Sequence, residues 1–429
     1  MKKRMAKKKT KPIEIHPVTR TPVMESVLLP RDNVIRQTIR VESGQILDGN
    51  GATYLILPNW DFPPILVEDA SEVVVRNINI VVAPDALSRL TGIAHINNSD
   101  HVKFDNVRIV GSGDAGGTNR QIPCWIEGCE HVTLDNCSIG MSPKGWCLWL
   151  AYTRWVNIVG GEYHNGYYDG IKVGNDVSKL LIQGVRGHHN GRESAGPKAT
   201  GDGIDITHGA CDGVDIIGCH FDHNDNGITF KYAPWRDHSR SEERIPVYGV
   251  NIVGGSCNNN GNGIFLQGFS GEPPSGVSGA NAPYPMGINV RGANCNYNTN
   301  SGIICGVGSY NLTDCQTHFN ENNGLDISLG ARWCSVRNHR AIANVKSNIN
   351  QWGPYNSFYD CYCEGKDVLH NVHDRYDNMP SITELGVNWQ WKPARGKAHG
   401  FMVHCYNDGS ISSNGKPSHL PDNRWEPVE

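Results

Sequence analysis

Residues 201–231 read GDGIDITHGACDGVDIIGCHFDHNDNGITFK, and this stretch contains one complete repeat of the unit that decides the fold. Its Gly-Ile strands begin at Gly203 and Gly227, 24 residues apart, and a second strand ending in Gly-Cys lies between them. Related units recur about every 22–24 residues from about residue 73 to residue 364. Apolar and polar residues alternate within the strands, and the i, i+3, i+4, i+7 spacing of a helix does not recur.

A unit this short has strands that cannot bury their apolar face alone, so successive units must stack into a solenoid. Stacked coils pair as parallel strands, and parallel crossovers are right-handed almost without exception. The sequence therefore predicts an all-β chain with a right-handed parallel β-helix at residues 39–364. Residues 1–38 are predicted to form a basic tail and an extended N-terminal arm. Residues 365–429 are predicted to form a β-rich C-terminal cap or oligomerisation region, because an open solenoid end exposes strand edges and core.

Charge and hydropathy restrict the partners of the chain. The net charge of the 429 residues is −4, and residues 1–11 carry seven positive charges, so the remaining chain is acidic and would repel nucleic acid. Only the basic tail has the charge to contact nucleic acid, although such tails are usually just solvated. No apolar run approaches the roughly 18 residues that span a bilayer. Residues 12–16 (PIEIH) stand where a signal peptide would be apolar. We therefore expect assembly in the cytoplasm of the producing cell and no membrane insertion.

The 14 cysteines are interpreted as core residues rather than disulfide partners. Three follow an apolar step at the same place in their units: Cys137, Cys219 and Cys315. Free cysteine is among the most buried residue types, and no CxxC pair with zinc spacing is present. The histidine-rich segment with His208, His220 and His223 suggests a metal, but strand alternation would put His223 on the face opposite His220. We therefore expect no metal site and no cofactor.

Function is expected where the repeat is interrupted. Insertions at residues 232–246 and 268–285 leave consecutive units at the same corner, and stacked insertions on one face are where solenoids usually bind. Strand alternation turns Ile204 and Ile228 inward and leaves a polar column outside. The predicted substrate-binding residues of this face and its first insertion are Lys172, Thr207, Lys231, Trp235, Arg236, Arg244 and Gln267. An open groove with such charged and aromatic side chains would suit a polysaccharide.

Three aspartates lie beside the corner glycines of consecutive units: Asp169, Asp202 and Asp225. Aspartate before glycine is also simply a good corner former, so a purely structural role stays open. Stacked on adjacent coils, two such residues would lie about 5 Å apart, and about 10 Å apart when one coil separates them. These separations bracket the carboxyl spacings of retaining and inverting glycosidases. We expect Asp202 and Asp225 to be the catalytic acid and the base or nucleophile, with Asp205 orienting them.

A short stretch resembles a known enzyme family. Residues 200–206 (TGDGIDI) and 223–231 (HNDNGITFK) are similar to the paired acidic motifs of the polygalacturonase-type glycoside hydrolases. By this resemblance Asp202 matches the first catalytic aspartate of the family and Asp225 the first of its aspartate pair, whereas Asn226 replaces the second. The family's later Gly-His-Gly and Arg-Ile-Lys motifs are not found at the expected places.

A broader resemblance covers nearly the whole chain. The basic arm, the coiled body and the non-repetitive C-terminal end are similar to the pectin-lyase-like β-helix superfamily, and within it to bacteriophage tailspikes. This resemblance implies a homotrimeric virion protein that attaches to other virion proteins through its N-terminal arm and binds, and often depolymerises, host surface polysaccharide. Two alternatives stay open: a non-enzymatic virion structural or decoration protein, and a free-standing polysaccharide hydrolase or lyase. A lyase could take its base from Lys172, Lys231, Arg236 or Arg244.

Overall fold

A computed structural model describes residues 24–364 with gaps, together with six short strands beyond residue 364. The gaps are residues 58–61, 84–91, 113–120, 143–144, 175, 192–200, 208–211, 232–247, 268–285, 307, 329–330, 332–333, 352–355 and 360. The described residues contain β-strands and no helix, and thus none that could cross a membrane.

The chain is a parallel β-solenoid whose coils contribute to two long sheets. The 13-stranded sheet contains Ile39–Arg40, Ile65–Glu68, Gly92–Asn97, Ile122–Glu127, Leu148–Ala151, Ile171–Val173, Asp202–Thr207, Asn226–Lys231, Asn262–Gln267, Ile303–Cys305, Asn323–Ile327, Ser347–Gln351 and Leu369–His370. Its neighbouring strands are all parallel, as the short repeat predicts. The all-β solenoid expected from the sequence is confirmed.

The 23-stranded sheet forms the other side of the coils. It contains Glu25–Ser26, Val34–Ile35, Gln45–Asp48, Thr53–Ile56, Ser71–Val82, Asp100–Val110, Glu130–Asp135, Ser138–Gly140, Arg154–Val159, Glu162–His164, Ser178–Gln183, Arg186–His188, Asp212–Ile217, His220–Asp222, Tyr248–Val253, Ser256–Asn258, Met286–Arg291, Tyr310–Thr313, Ser335–Arg337, Ser357–Tyr359, Ile382–Glu384, Val387–Lys392 and Arg424–Pro427. Three further strands form a small sheet, namely Gln316–His318, Arg340–Ile342 and Tyr362–Glu364. Beyond residue 381, Thr383 still pairs in parallel with Tyr359, whereas Val387–Lys392 pairs antiparallel with Ile382–Glu384 and with Arg424–Pro427. Tyr406–Asn407 and Ser410–Ile411 also pair antiparallel.

The core is a stack of aliphatic side chains in register. Ile204, Ile228, Ile264 and Ile303 pair in turn along the 13-stranded sheet, and all four are buried. The predicted inward column is therefore confirmed. Each coil buries an apolar face that a single coil would leave in water, so burial against the neighbouring coils stabilises the stack.

Buried cysteines extend this core. The described residues include twelve cysteines, and all twelve are buried. Cys137, Cys219 and Cys315 each directly precede the equivalent strands that begin at Ser138, His220 and Gln316, so they occupy one column as predicted. Burial raises the pKa of Cys137 to about 12, so its thiol stays protonated at neutral pH.

A ladder of buried asparagines runs along one corner of the coils. Its members are Asn190, Asn224, Asn260, Asn298, Asn320 and Asn344. The Oδ1 atom of Asn320 accepts hydrogen bonds from the backbone N–H and the side-chain amide of Asn298, both at 2.9 Å. The amide of Asn320 in turn donates to Oδ1 of Asn344 at 2.8 Å. Because these buried amides find partners in the neighbouring coils, the corner stays polar without unpaired groups.

Candidate active site

The outward side chains of three adjacent strands in the 13-stranded sheet meet in one place. Lys172, Asp205 and Thr229 stand in register, and Thr207 stands beside Lys231 in the next column. This register is the one that strand alternation predicts. The sequence predicts that these side chains line an open groove, but the structure buries them: Lys172 is 6%, Asp205 3% and Thr207 4% exposed. These outward polar groups are therefore buried.

Three aspartates and two lysines form a connected group, which we call the Asp–Lys cluster: Asp169, Lys172, Asp202, Asp205 and Lys231. The ammonium of Lys172 pairs with the carboxylate of Asp205 and lies 3.7 Å from Oδ2 of Asp169. The ammonium of Lys231 lies 3.1 Å from Oδ2 of Asp202 and 3.2 Å from Oδ2 of Asp205. One oxygen from each of the three carboxyl groups lies within 4.8 Å of the others.

The register of neighbouring strands at the corner determines which aspartates belong to this cluster. Asp202 pairs with Asn226 on the next strand, and the Asn226 amide donates to Oδ1 of Asp202 at 2.6 Å. Asp225 lies one residue earlier, where its Oδ2 accepts the Gly201 N–H at 2.8 Å. The predicted stacking of Asp225 on Asp202 is therefore wrong by one residue. In this coil Asn226 holds the position directly before the glycine that Asp202 holds in its own coil.

Asp169 belongs to the cluster, although the sequence analysis gave it no catalytic role. It precedes Gly170 as Asp202 precedes Gly203, so the two aspartates are equivalent in consecutive coils. Its Oδ1 accepts the backbone N–H of Asp202 at 2.9 Å. The signal was present in the sequence, because Asp-Gly-Ile occurs in both coils whereas the next coil has Asn-Gly-Ile.

The charges of the cluster balance only if one carboxyl group keeps its proton. Burial, reinforced by the neighbouring Asp205 carboxylate, raises the pKa of Asp169 well above its usual value. Burial also raises the pKa of Asp202. For Lys231, burial acts to lower the pKa, but the carboxylates of Asp202 and Asp205 outweigh it and raise the pKa overall. Three carboxyl groups face two ammonium groups, so a proton on Asp169 makes the buried cluster neutral.

Two buried oxygens in this region can accept further hydrogen bonds. Oδ1 of Asp205 and Oγ1 of Thr207 have no hydrogen-bond partner among the described residues. Buried polar atoms in folded proteins are nearly always paired. Both oxygens lie beneath the surface, so a ligand hydroxyl would reach them only if the cluster opened.

A row of aromatic rings leads to the cluster along the same outward column. His95, Trp125 and Trp149 pair in register on consecutive strands, and Trp149 pairs with Lys172. The ring centroids of Trp125 and Trp149 are 6.2 Å apart, and Trp146 packs against Trp149 with a centroid distance of 4.5 Å. All four rings are partly exposed. The strands that carry the two tryptophans, Ile122–Glu127 and Leu148–Ala151, lack the Gly-Ile step that marks the repeat, so the repeat pattern does not reveal this row.

Several predicted binding residues cannot be placed. Trp235, Arg236 and Arg244 lie outside the described residues, as do both insertions and His208. Gln267 pairs with Lys231 along the backbone, which gives it the predicted column position.

Comparisons with known proteins identify similar folds. No family model matches this sequence, and neither does any curated protein. The structure is similar to the A-module of the mannuronan C-5 epimerase AlgE6 from Azotobacter vinelandii, at 13% identity, covering 81% of this chain and 89% of that chain, with a TM-score of 0.49. It is similar to a mutant tailspike protein of E. coli bacteriophage HK620 in complex with a pentasaccharide, at 10% identity, covering 82% of this chain and 58% of that chain, with a TM-score of 0.44. It is also similar to the Dettilon tailspike protein, at 11% identity, covering 77% of this chain and 60% of that chain, with a TM-score of 0.36.

Proposed function

We propose that this chain binds a polysaccharide along the outer face of the 13-stranded sheet and hydrolyses it at the Asp–Lys cluster. The observation that carries the proposal is the aromatic row of His95, Trp125 and Trp149, which leads to Lys172 and the cluster in one column. Partly exposed rings offer apolar faces on which the C–H faces of sugar rings can stack. Neighbouring coils are about 4.8 Å apart, so a chain lying along the solenoid axis meets one ring after another.

The cluster contains the groups that a glycoside hydrolase needs. Asp169, which burial keeps protonated, would act as the general acid and protonate the leaving glycosidic oxygen. Asp205, held by the ammonium groups of Lys172 and Lys231, would act as the carboxylate nucleophile through its unpaired Oδ1. The close approach of the carboxyl oxygens favours a retaining mechanism, in which the two carboxyl groups are about 5–5.5 Å apart.

A lyase is less well supported by the same geometry. A lyase would need a neutral lysine to remove a proton from the sugar ring. The ammonium groups of Lys172 and Lys231 are both paired with carboxylates, and the pairing raises the pKa of Lys231. Hydrolysis by carboxyl groups therefore fits the cluster better than elimination by a lysine base.

Binding without cleavage is the second candidate, and the burial of the cluster favours it. Asp202 is 0% exposed and Asp205 3%, so a substrate reaches them only after a rearrangement that exposes them. If this rearrangement does not occur, the aromatic row alone would bind polysaccharide, and the cluster would serve to hold three coils together. The two candidates differ in whether oligosaccharides are released.

Replacing Trp125 by alanine tests the binding face directly. We expect about a tenfold loss of affinity for the polysaccharide, because one stacking face of the row is removed. The measurement is retention in affinity electrophoresis with bacterial capsules and lipopolysaccharides. Trp155→Ala is the matched control, since Trp155 is a partly exposed ring stacked on His131 in the 23-stranded sheet. Equal retention of the Trp125→Ala variant and the wild type would contradict a binding role for the row.

We extend the proposal to a virion tailspike that is a homotrimer and attaches through the arm at residues 1–38. The resemblance of the sequence to bacteriophage tailspikes supports this extension. The aromatic C-terminal segment 365–429 also supports it, because identical parallel solenoids could bury this segment against one another by closed symmetry. Light scattering on the undiluted protein should give about three times the chain mass of 47.2 kDa. A mass of one chain would contradict the trimer, but it would not contradict polysaccharide binding by the aromatic row.

A further inference from the structure

A second group of polar side chains lies at a corner of the 23-stranded sheet, outside the proposed active site. Nδ1 of His188 and Nδ1 of His189 are 2.9 Å apart, and their rings are nearly perpendicular, at 87°. Asp222 pairs with His188 on the next coil. One ring nitrogen of each histidine and one carboxylate oxygen of Asp222 lie within 4.8 Å of one another. Two imidazoles and one carboxylate therefore lie close enough together to share one ligand.

The backbone explains how two consecutive histidines come to face each other. Consecutive residues of a regular strand point to opposite faces, so their side chains do not meet. His189 has a φ of 55°, in the left-handed region, and this turn brings its ring to the side of His188. Asn165 and Asn259 have the same left-handed conformation at the equivalent positions of other coils. Asparagine tolerates this conformation better than histidine does, so the fold alone does not call for histidine at position 189.

The separation of the two nitrogens fits a metal ion. Two nitrogens that each lie about 2.05 Å from a metal are about 2.9 Å apart at a right angle and about 3.3 Å apart in a tetrahedron. The two nitrogens are within hydrogen-bond distance of each other, and their separation of 2.9 Å is close to that of the right-angled arrangement in square-planar or octahedral sites, which Cu²⁺ and Ni²⁺ prefer. Imidazole nitrogen is a good ligand for both ions.

The surrounding charges allow such a site. Asp222 has two other contacts, Nδ1 of His223 at 3.4 Å and Arg186 at 3.6 Å. Arg186 also reaches Glu162 at 3.8 Å, so it keeps a carboxylate partner if Asp222 turns to a metal. His164 stacks on His188 and His223 stacks on His189, which limits the motion of both rings.

We propose that His188, His189 and Asp222 bind a divalent late transition metal ion, with Ni²⁺ and Cu²⁺ preferred over Zn²⁺. The ion would join two consecutive coils, because His188 and His189 belong to one coil and Asp222 to the next. The remaining coordination positions would hold water. This site is separate from the Asp–Lys cluster, which contains no histidine.

The test is calorimetric titration of the full chain, without a histidine tag, with NiCl₂ and with ZnCl₂. We expect the wild type to bind one Ni²⁺ at this site with a Kd below about 10 µM and Zn²⁺ more weakly. The His189→Asn variant should lose that site, with affinity lower by at least about 100-fold. It should fold normally, because asparagine already occupies two equivalent corners, at Asn165 and Asn259, and circular dichroism checks this. His220→Asn is the matched control, since the His220 ring contacts Ser256 instead, with Nδ1 2.9 Å from Oγ.

Ni²⁺ should also raise the thermal unfolding midpoint of the wild type and of His220→Asn but not that of His189→Asn. The group of Asp100, His101 and His131 could add a second binding event, which would be equal in all three proteins. Absence of Ni²⁺ binding to the wild type would overturn the proposal. So would a folded His189→Asn variant that binds as many Ni²⁺ ions, equally tightly, as the wild type.

Discussion

Replacement of Asp205 by asparagine is expected to slow polysaccharide cleavage by about 10²–10⁴-fold. Because the change also removes the carboxylate partner of Lys172, the rate is measured on protein that circular dichroism shows to be folded. The asparagine amide has nearly the shape of the carboxylate but cannot attack the anomeric carbon. Initial rates of reducing-end release at equal protein concentration measure the loss. Asp326→Asn is the matched control, because Asp326 lies in the same outward column, three coils beyond Thr229, but its carboxylate is held by asparagines, Asn323 and Asn350, instead of lysines.

Replacement of the other aspartates by asparagine should affect the cleavage rate in two different ways. Asp169→Asn should lose activity as Asp205→Asn does, because the amide has no acidic proton for the leaving oxygen. Asp225→Asn should keep most of the activity, because the side chain caps the Gly201 N–H and an amide oxygen can still accept that hydrogen bond. Full activity in Asp205→Asn would remove Asp205 from the catalytic site. Loss of activity in Asp225→Asn alone would favour the pair first expected from the sequence, Asp202 and Asp225.

The second large effect concerns stability. Lys172→Met is expected to lower the free energy of unfolding by about 3–5 kcal/mol, because it leaves the buried carboxylate of Asp205 short of a counter-charge. Denaturant unfolding followed by tryptophan fluorescence measures the change. Lys103→Met is the matched control, since Lys103 also bridges two carboxylates, Asp105 and Asp135, but its side chain is 40% exposed. Exposed pairs contribute little, so this control should lose less than about 1 kcal/mol.

A double variant distinguishes lost charge pairing from lost packing. Lys172→Met combined with Asp205→Leu removes both partners of the pair and should recover most of the lost stability. If the double variant is as unstable as Lys172→Met alone, packing rather than the unpaired carboxylate explains the loss. A Lys172→Met variant as stable as Lys103→Met would show that the cluster is not buried in solution.

The repeat alone was enough to predict the fold and the columns of the first strand. Gly-Ile steps 24 residues apart place Ile204 on Ile228, and the same spacing places Asp205 on Thr229. Such placements follow from the two-residue period of a strand and from the parallel pairing of coils. The core cysteines were predictable for the same reason.

The composition of the site was less predictable, because it depends on corners and burial rather than on period. One residue separates Asp225 from Asn226, and this shift decides which side chain faces Asp202. Strand alternation predicts that the side chain of Lys172 points away from the core, but it does not predict that this side chain is buried. Its burial depends on the residues that cover the sheet. The left-handed turn at His189 breaks alternation, so the convergence of His188 and His189 could not be read from a strand pattern.

Release of oligosaccharides from a panel of bacterial capsules and lipopolysaccharides tests the central claim most directly. Wild-type protein and the Asp205→Asn variant are incubated with each polysaccharide, and the products are separated by size and identified by mass spectrometry. We expect the wild type to shorten at least one polysaccharide into regular oligosaccharides with intact reducing ends, and the Asp205→Asn variant to bind the same polysaccharide without shortening it. Products with an unsaturated terminal sugar would contradict hydrolysis, and a panel in which no polysaccharide is bound or shortened would contradict the account as a whole.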